Sequence, residues 1–545
     1  MLRRLLITLI ILSIAGIAYA GQPGTWSFAG VEPVSPSSAM GMAVGTLDES
    51  SFVMASFVLS ADQALVIGLK SIDSGASLYE VCRGADVLAA PMVTAGDCLG
   101  SSVCILGGLN MLTLNVGLWR SDGAGEQGTW SAVDLGLTLP VGSAITYIKG
   151  FSDTFGFAIG APALILATHD AGATWTKLDS PVTGADASID GISFIDENIG
   201  FLTTGYDTST GGKSANPDSP EAVRHRLLMN ASPYYRWQWQ IQHRDEPKAI
   251  VMEGIYKTVD GGATWTELLT QMNWYGLRIS MSSEQYGCLV SSETYGQNGD
   301  ESIRCTDDGG VTWNPATLPD AVPGFPGDHY IIGDIYMLDA DIGYAAVMGG
   351  SPIIGLPNAG AFLLTTDGGA SFDWDPSGAT GMGYMGLDIT GKAYGYSVGP
   401  SLDRAKYTGN VNTAPTADAG PDGTTNVSVT TTLDGSGSSD PENDTLMYKW
   451  EQINGPAATI TSPFGKTDTF VPTAEGTVEF QLTVSDGQFM ATDTVSYTVL
   501  PALVDDDTGD DTATADDTAA DDAATDDASG SDDDSSSKVS GGCCG

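Results

Sequence analysis

Positive charge is scarce in this 545-residue chain: 22 Lys and Arg stand against 68 Asp and Glu, for a net charge of −46. Such a surface repels phosphate backbones, which argues against nucleic acid as a partner. Histidine is scarcer still, with four in all, and no Cys-x-x-Cys spacing occurs, so a zinc centre has no evident ligand set. No GxSxG, HExxH or phosphate-loop motif is present. After the first twenty residues no apolar run approaches the length needed to span a bilayer.

Those first residues have their own pattern. "MLRR" is basic, "LLITLIILSIAGI" is apolar, and Ala18-Tyr19-Ala20 is a small-x-small exit. Residues 1–20 are therefore expected to be a secretory signal peptide, and the mature protein to be secreted or held at the outer cell surface. Export permits disulfides. Cysteines stand at 82, 98, 104, 288, 305, 543 and 544. Cys288 and Cys305 fall in two strand-like runs of one repeat and are expected to pair. Cys82, Cys98 and Cys104 leave one thiol over, and spacing does not choose among them.

What the chain has in quantity is a repeat. "SIDSGASLYEV" starts at Ser71, and "THDAGATWTKL", "TVDGGATWTEL", "CTDDGGVTWNP" and "TTDGGASFDWD" start at 168, 258, 305 and 365. The shared pattern is Ser/Thr-x-Asp-x-Gly-x-Ser/Thr-(aromatic or Leu), with Asp73, Asp170, Asp260, Asp308 and Asp367 at its centre and Trp175, Trp265, Trp313 and Phe372 as its aromatics. A degenerate copy places Asp122 and Trp130 around a small insertion. The chemistry is that of a turn. Asp accepts from backbone N–H groups a few residues on, Gly supplies a positive φ, and the aromatic packs beneath. Upstream of the copies runs a second pattern, as in "ISFIDENIGFL" and "IYMLDADIGYA", which reads as two short strands and a turn.

The central aspartates are 49, 48, 90, 48 and 59 residues apart when Asp122 is included. A period near 48 suits one four-stranded blade of a β-propeller, and the long gap is one blade with an insertion at about 203–250. A last unit, "LDITGKAYGYSVG", has no turn of its own, and Gly24-Thr25-Trp26 resembles the end of one. The first strand is thus expected to complete the last blade. Residues 21–408 are expected to hold seven blades, with six as the alternative.

These residues resemble the Asp-box (BNR) repeat of sialidase-like propellers. The pairing of "GFA" with "T-DGG-TW" is more similar still to the Ycf48 family of photosystem II assembly factors. Both imply a propeller. Neither settles an activity, because such propellers serve hydrolases, receptors and assembly factors alike.

Composition changes at "NTAPTADAGPD", residues 412–422. Alternating apolar runs then predict an Ig-like β-sandwich over 411–500 with Trp450 and Tyr448 in its core. "DAG" at 418–420, "LDGSGSSDP" at 433–441, "YKW" at 448–450 and "LTVSDG" at 482–487 resemble a PKD domain. Residues 501–545 are expected to form a disordered acidic tail, with fourteen Asp over 502–538. The tail's closing "SGGCCG" resembles the start of a MYXO-CTERM sorting tag, without that tag's hydrophobic helix and basic end.

An internally bonded carboxylate is not free to react, so the repeated aspartates are expected to be structural and no catalytic residue is assigned. A sialidase would need an arginine cluster over the blades and the family's Phe/Tyr-Arg-Ile-Pro motif, and both are missing. A glycosidase needs only two carboxylates facing one cleft, so two buried acids across the centre would favour it. Long connections at 203–250, 291–302 and 349–361 all fall between second and third strands, and should gather on the face opposite the repeated turns. The largest holds Arg236, Trp237, Trp239 and Arg244, where aromatics beside Arg suit a sugar or an acidic partner. A packed hairpin with solvated charges is the plainer alternative. Asp440 and Asp444 share a loop with Glu442 and Asn443, where oxygen ligands suit Ca²⁺ and a polar turn serves equally well; no other cofactor is expected. The expectation is an exported, monomeric, non-catalytic recognition or scaffold protein that binds a protein or glycan. A secreted carbohydrate-active hydrolase and a Ycf48-like envelope assembly factor are the alternatives.

Overall fold

Apolar residues alternate along the runs Ala39–Thr46, Pro91–Leu99, Ala144–Gly150, Ala187–Phe194, Tyr275–Met281, His329–Met337 and Gly386–Thr390, and each run opens a four-stranded antiparallel sheet. The structure is a computed structural model that describes residues 25–502, apart from 31–38, 60–64, 84–90, 111–114, 141–142, 185–186, 207–253, 271–273, 293–300, 321–328, 352–355, 378–382, 401, 410–411, 443, 462 and 487–488. The expected signal peptide and most of the acidic tail lie outside the described residues.

In six of the sheets three further strands follow outward in chain order. In the seventh the outermost strand is Thr25–Gly30, which pairs antiparallel with Arg404–Thr408 and sets Trp26 opposite Tyr407. The opening strands touch one another in chain order, and Gly386–Thr390 touches Ala39–Thr46. The ring is therefore closed, and the fold is a β-propeller of seven such sheets among the described residues.

One-residue bulges interrupt six of the opening strands, at 41/43, 93/95, 145/147, 189/191, 276/278 and 332/334. A bulge adds twist and re-aims the side chains that follow. At equivalent positions beyond it, polar side chains accept a backbone N–H from the next sheet. Gly150 donates to Asp97 at 2.8 Å, Met281 to Ser193 at 3.0 Å and Met337 to Ser280 at 2.9 Å. Thr46 donates to Asp388 at 2.7 Å, which carries the same clamp across the closure.

The turns between strands one and two, and between three and four, share one face. They are bonded to each other in six sheets: Ser74 N–H donates to Ser50 O, Ala124 to Ser102, Ala171 to Thr154, Gly261 to Asn198, Gly309 to Gln285 and Gly368 to Asp341, at 2.7–3.1 Å. Apolar clusters fill the spaces between neighbouring sheets, as where Phe157 and Ile159 meet Ile189, Phe194 and Leu202. Cys288 and Cys305 face each other on adjacent strands and are bonded. The second disulfide joins Cys98 to Cys104, and Cys82 is buried near Trp119.

The connection expected at 349–361 is shorter than the sequence suggests. Strands Gly343–Ser351 and Leu356–Thr365 stay paired out to Ser351 and Leu356, so the Gly/Pro-rich text is a hairpin extension and not a long loop. Beyond Thr408 the chain forms a second all-β domain. Gly423–Asn426, Met490–Leu500, Gly476–Ser485 and Met447–Asn454 make one sheet, and Thr431–Asp434, Thr467–Pro472 and Ala458–Ile460 make the other. Trp450, Phe470, Phe480 and Leu482 are buried between them, with Tyr448 half-buried at the edge.

Candidate functional site

The five full turns use every aspartate internally. The Ser/Thr two residues before donates its hydroxyl to each carboxylate: Ser71 to Asp73 and Thr168 to Asp170 at 2.9 Å, and Thr258 to Asp260, Thr306 to Asp308 and Thr365 to Asp367 at 2.8 Å. From the other side Ser77, Thr174, Thr264, Thr312 and Ser371 donate both backbone N–H, at 2.8–3.0 Å, and hydroxyl, at 2.5–2.7 Å. In Asp73 and Asp260 the hydroxyls of Ser77 and Thr264 lead in holding the carboxyl below its usual range. In Asp170, Asp308 and Asp367 burial pulls upward, and the bonds from Thr174, Thr312 and Ser371 outweigh it. Trp175 and Trp313 are buried and donate their indole N–H to Gly172 and Gly310 at 3.1 Å; Phe372 is buried, and Trp265 is half-buried against the third and fourth sheets. Asp122 departs from the pattern. It is exposed and meets Arg120 at 3.5 Å, while Ser121 and Thr129 bond to each other and close the turn without it.

Near the axis the opening strands contribute charge. Lys149 lies between Asp388, which it contacts directly, and Asp97 at 3.6 Å. Asp97 and Asp388 are thus two buried acids at the centre. Asp97 accepts from Cys98 and Gly150 N–H at 2.8 Å, and Asp388 from Thr46 N–H at 2.7 Å and from Lys149. Burial pushes the Asp97 carboxyl up to about 7 against the pull of Lys149, and that of Asp334 to about 6 against Arg278. Asp334 in turn accepts from Ile335 at 3.0 Å and Leu387 at 3.2 Å. These acids join sheet to sheet, and a raised Asp97 carboxyl beside Asp388 at the axial cavity is also an arrangement that acid–base chemistry could use. The signal that could have revealed them is the alignment of the opening strands, where "TAGD", "TYIK" and "MGLD" (385–388) fall in register.

The arginines do similar work. Arg120 donates to Ala171 O at 2.7 Å, Arg404 to Gly75 O at 2.8 Å, and Arg278 to Asp190 O while stacking on Tyr147. Each of these three guanidinium groups is thus held by a backbone carbonyl of a neighbouring sheet. A cavity of about 400 Å³ opens at the channel mouth on the turn-bearing face, lined by Lys149, Asp153, Tyr336, Asp388 and Tyr394 among others.

That same face carries the second domain. Lys392, in a turn of the seventh sheet, reaches Asp339 of the sixth at 2.9 Å and Asp444 of the sandwich at 2.7 Å. Thr445 donates to Asp341, and Lys449 approaches Glu284 of the fifth sheet at 3.6 Å. Of the two residues expected to suit Ca²⁺, Asp444 therefore meets a propeller lysine. Asp440 accepts from Glu442 and Asp444 N–H at 2.9 Å through one oxygen, and its other oxygen is buried without a hydrogen-bond partner. Among the described residues no three His, Cys, Asp or Glu side chains are gathered to hold a metal ion.

Arg236, Trp237, Trp239 and Arg244 lie outside the described residues. Their segment leaves the fourth sheet after Tyr206 and returns at Gly254, between the second and third strands, at the edge away from the repeated turns.

Residues 419–499 match a family model for the PKD domain. The sandwich is a PKD domain. A solved structure of a PKD domain from the KIAA 1837 protein is 32% identical over 17% of this chain and 93% of its own, with a TM-score of 0.15. YCF48 from Cyanidioschyzon merolae is 12% identical over 70% of this chain and 99% of its own, with a TM-score of 0.42. The Niastella koreensis GH74 enzyme is 14% identical over 86% and 80%, with a TM-score of 0.37. No curated protein matches the chain. Among the described residues no helix is long and apolar enough to cross a membrane.

Proposed function

We propose that this is an exported, non-catalytic recognition or scaffold protein of the cell surface or extracellular space. It binds a protein or glycan through the propeller face opposite the Asp-box turns. The observation that carries this reading is the division of the two faces. The turn-bearing face seats the PKD domain through Lys392, Thr445 and Lys449. The strand ends at Tyr206 and Gly254, which flank the Arg- and Trp-bearing residues 207–253 in sequence, lie at the other face. Loops borne on a rigid scaffold are the usual carriers of binding. Two disulfides and the PKD domain suit an extracellular setting. The buried Asp97 and Asp388 beside the axial cavity are what the competing reading, a carbohydrate-active hydrolase, would use.

The test uses the full chain and its Arg236→Ala/Trp237→Ala/Trp239→Ala/Arg244→Ala variant. Both are applied to a glycan array and to an envelope extract, and a polysaccharide-hydrolysis screen runs alongside. Retention of a ligand by the parent and its loss in the variant supports the reading. Equal retention by both removes it, and sugar release by the parent replaces it with a hydrolase.

A further inference from the structure

The sandwich loop beginning at Asp440 is an oxygen-rich site with an unmet need. Asp440 is 9% exposed, and one of its carboxylate oxygens has no hydrogen-bond partner. Asn412 has its side-chain carbonyl oxygen buried and likewise without a donor, while its amide N–H donates to Asp486 at 3.1 Å. Asp486 is fully buried, and both it and Asp444 act on Asp440 as like charges. Oxygen donors of this kind, three carboxylates and an amide carbonyl, are what a hard divalent cation takes. A positive charge comes instead from the other domain: Lys392 reaches Asp444 at 2.7 Å and is itself 8% exposed.

We infer that Lys392 acts as a tethered cation for this PKD loop, so that docking of the domain on the propeller and binding of free Ca²⁺ compete for Asp444. Lys392 is fixed from its own side by Asp339 at 2.9 Å. While it holds Asp444, the carboxylates are not gathered as a metal set among the described residues. A divalent ion that draws Asp444 toward Asp440 and Asp486 must break the Lys392 contact. By linkage, whatever weakens that contact strengthens Ca²⁺ binding by the same factor. Thr445–Asp341 and Lys449–Glu284 are further polar ties at the same seam.

Calorimetric titration of the full chain with CaCl₂ tests this, with Lys392→Met and Lys392→Arg beside the parent. The expected result is roughly tenfold or more tighter binding by Lys392→Met, a coupling of ordinary size, and parental binding by Lys392→Arg. Small-angle scattering of the parent should show its radius of gyration rise as Ca²⁺ saturates, which gives a readout free of any folding defect in a variant. Equal affinities in parent and Lys392→Met, or no binding heat in either, overturns the inference. So does an unchanged radius at saturation.

Discussion

Gly369 lies on the Cys288–Cys305 disulfide of the preceding sheet: a Cβ on it would stand 2.1 Å from the Cys305 sulfur and 2.8 Å from that of Cys288. The relation recurs around the ring. Gly310 sits over Phe201, Gly262 over Phe157 and Gly172 over Ile105, each the glycine of one turn against the second strand of the sheet before it. The turn motif and the Gly-apolar motif are therefore two halves of one joint between sheets.

Gly369→Ala is expected to cost about 3 kcal/mol or more. Its φ of +86° already strains any side chain, by roughly 1–2 kcal/mol, and overpacking adds about 1–3 kcal/mol. Gly128 has a φ of +82° with nothing within 4 Å, so Gly128→Ala should show the backbone cost alone. Urea unfolding of the two variants checks the difference, and equal midpoints would contradict the joint.

The acid limb of stability should be steep. Asp73, Asp170, Asp260, Asp308 and Asp367 all titrate below the ordinary 3.8 when folded. A depressed carboxyl contributes stability above its unfolded value and loses it as pH falls through the folded one. Unfolding midpoints should therefore drop from about pH 4 downward. Asp308→Asn should flatten that drop while lowering stability at pH 7 by about 1 kcal/mol, because Asn offers one acceptor oxygen where Asp offered two. Urea midpoints across pH 2–7 read both effects.

Closure combines the exchanged strand Thr25–Gly30 with a clamp near the axis. Asp388 joins the last sheet to the first through Thr46 N–H and holds Lys149. Asp388→Ala should destabilise by about 3–5 kcal/mol, the range for a buried pair that loses one partner. Asp134→Ala, at an exposed turn where the carboxylate accepts Gly136 N–H, should shift the melting temperature little. Thermal melts of the two variants compare them, and a small shift for Asp388→Ala would mean the clamp is not what holds the ring shut.

The repeated turn is readable because its chemistry is local: Ser/Thr, Asp, Gly and Ser/Thr bond within seven residues, so spacing alone exposes them. The strand exchange at closure shows through the orphaned Gly-Thr-Trp at 24–26. The axial acids do not show, because Thr46 and Asp388 lie 342 residues apart and meet only when the ring closes. Lys392 is hidden for a related reason. In sequence it is one cation in a polar turn, and its meaning depends on how a separate domain is seated. The 349–361 segment misleads because Gly and Pro usually mark loops, yet here the strands stay paired almost to the tip.

The disulfide and the glycine above it should also be coupled energetically. Cys288 and Cys305 are 17 residues apart, and closing a loop of that size is worth about 3 kcal/mol in the unfolded chain. Cys288→Ala/Cys305→Ala should lose about that much, and reduction of the parent should lower its melting temperature in the same direction. The replaced pair also removes the two sulfurs that a side chain on Gly369 would strike. In the background without the disulfide, Gly369→Ala should then cost only about 1–2 kcal/mol, the backbone strain that remains. The double-mutant cycle isolates this term, since residues in contact depart from additivity by roughly 0.5–3 kcal/mol. Additive costs would show that the glycine is required for its φ alone and that the contact with the preceding sheet carries no energy of its own.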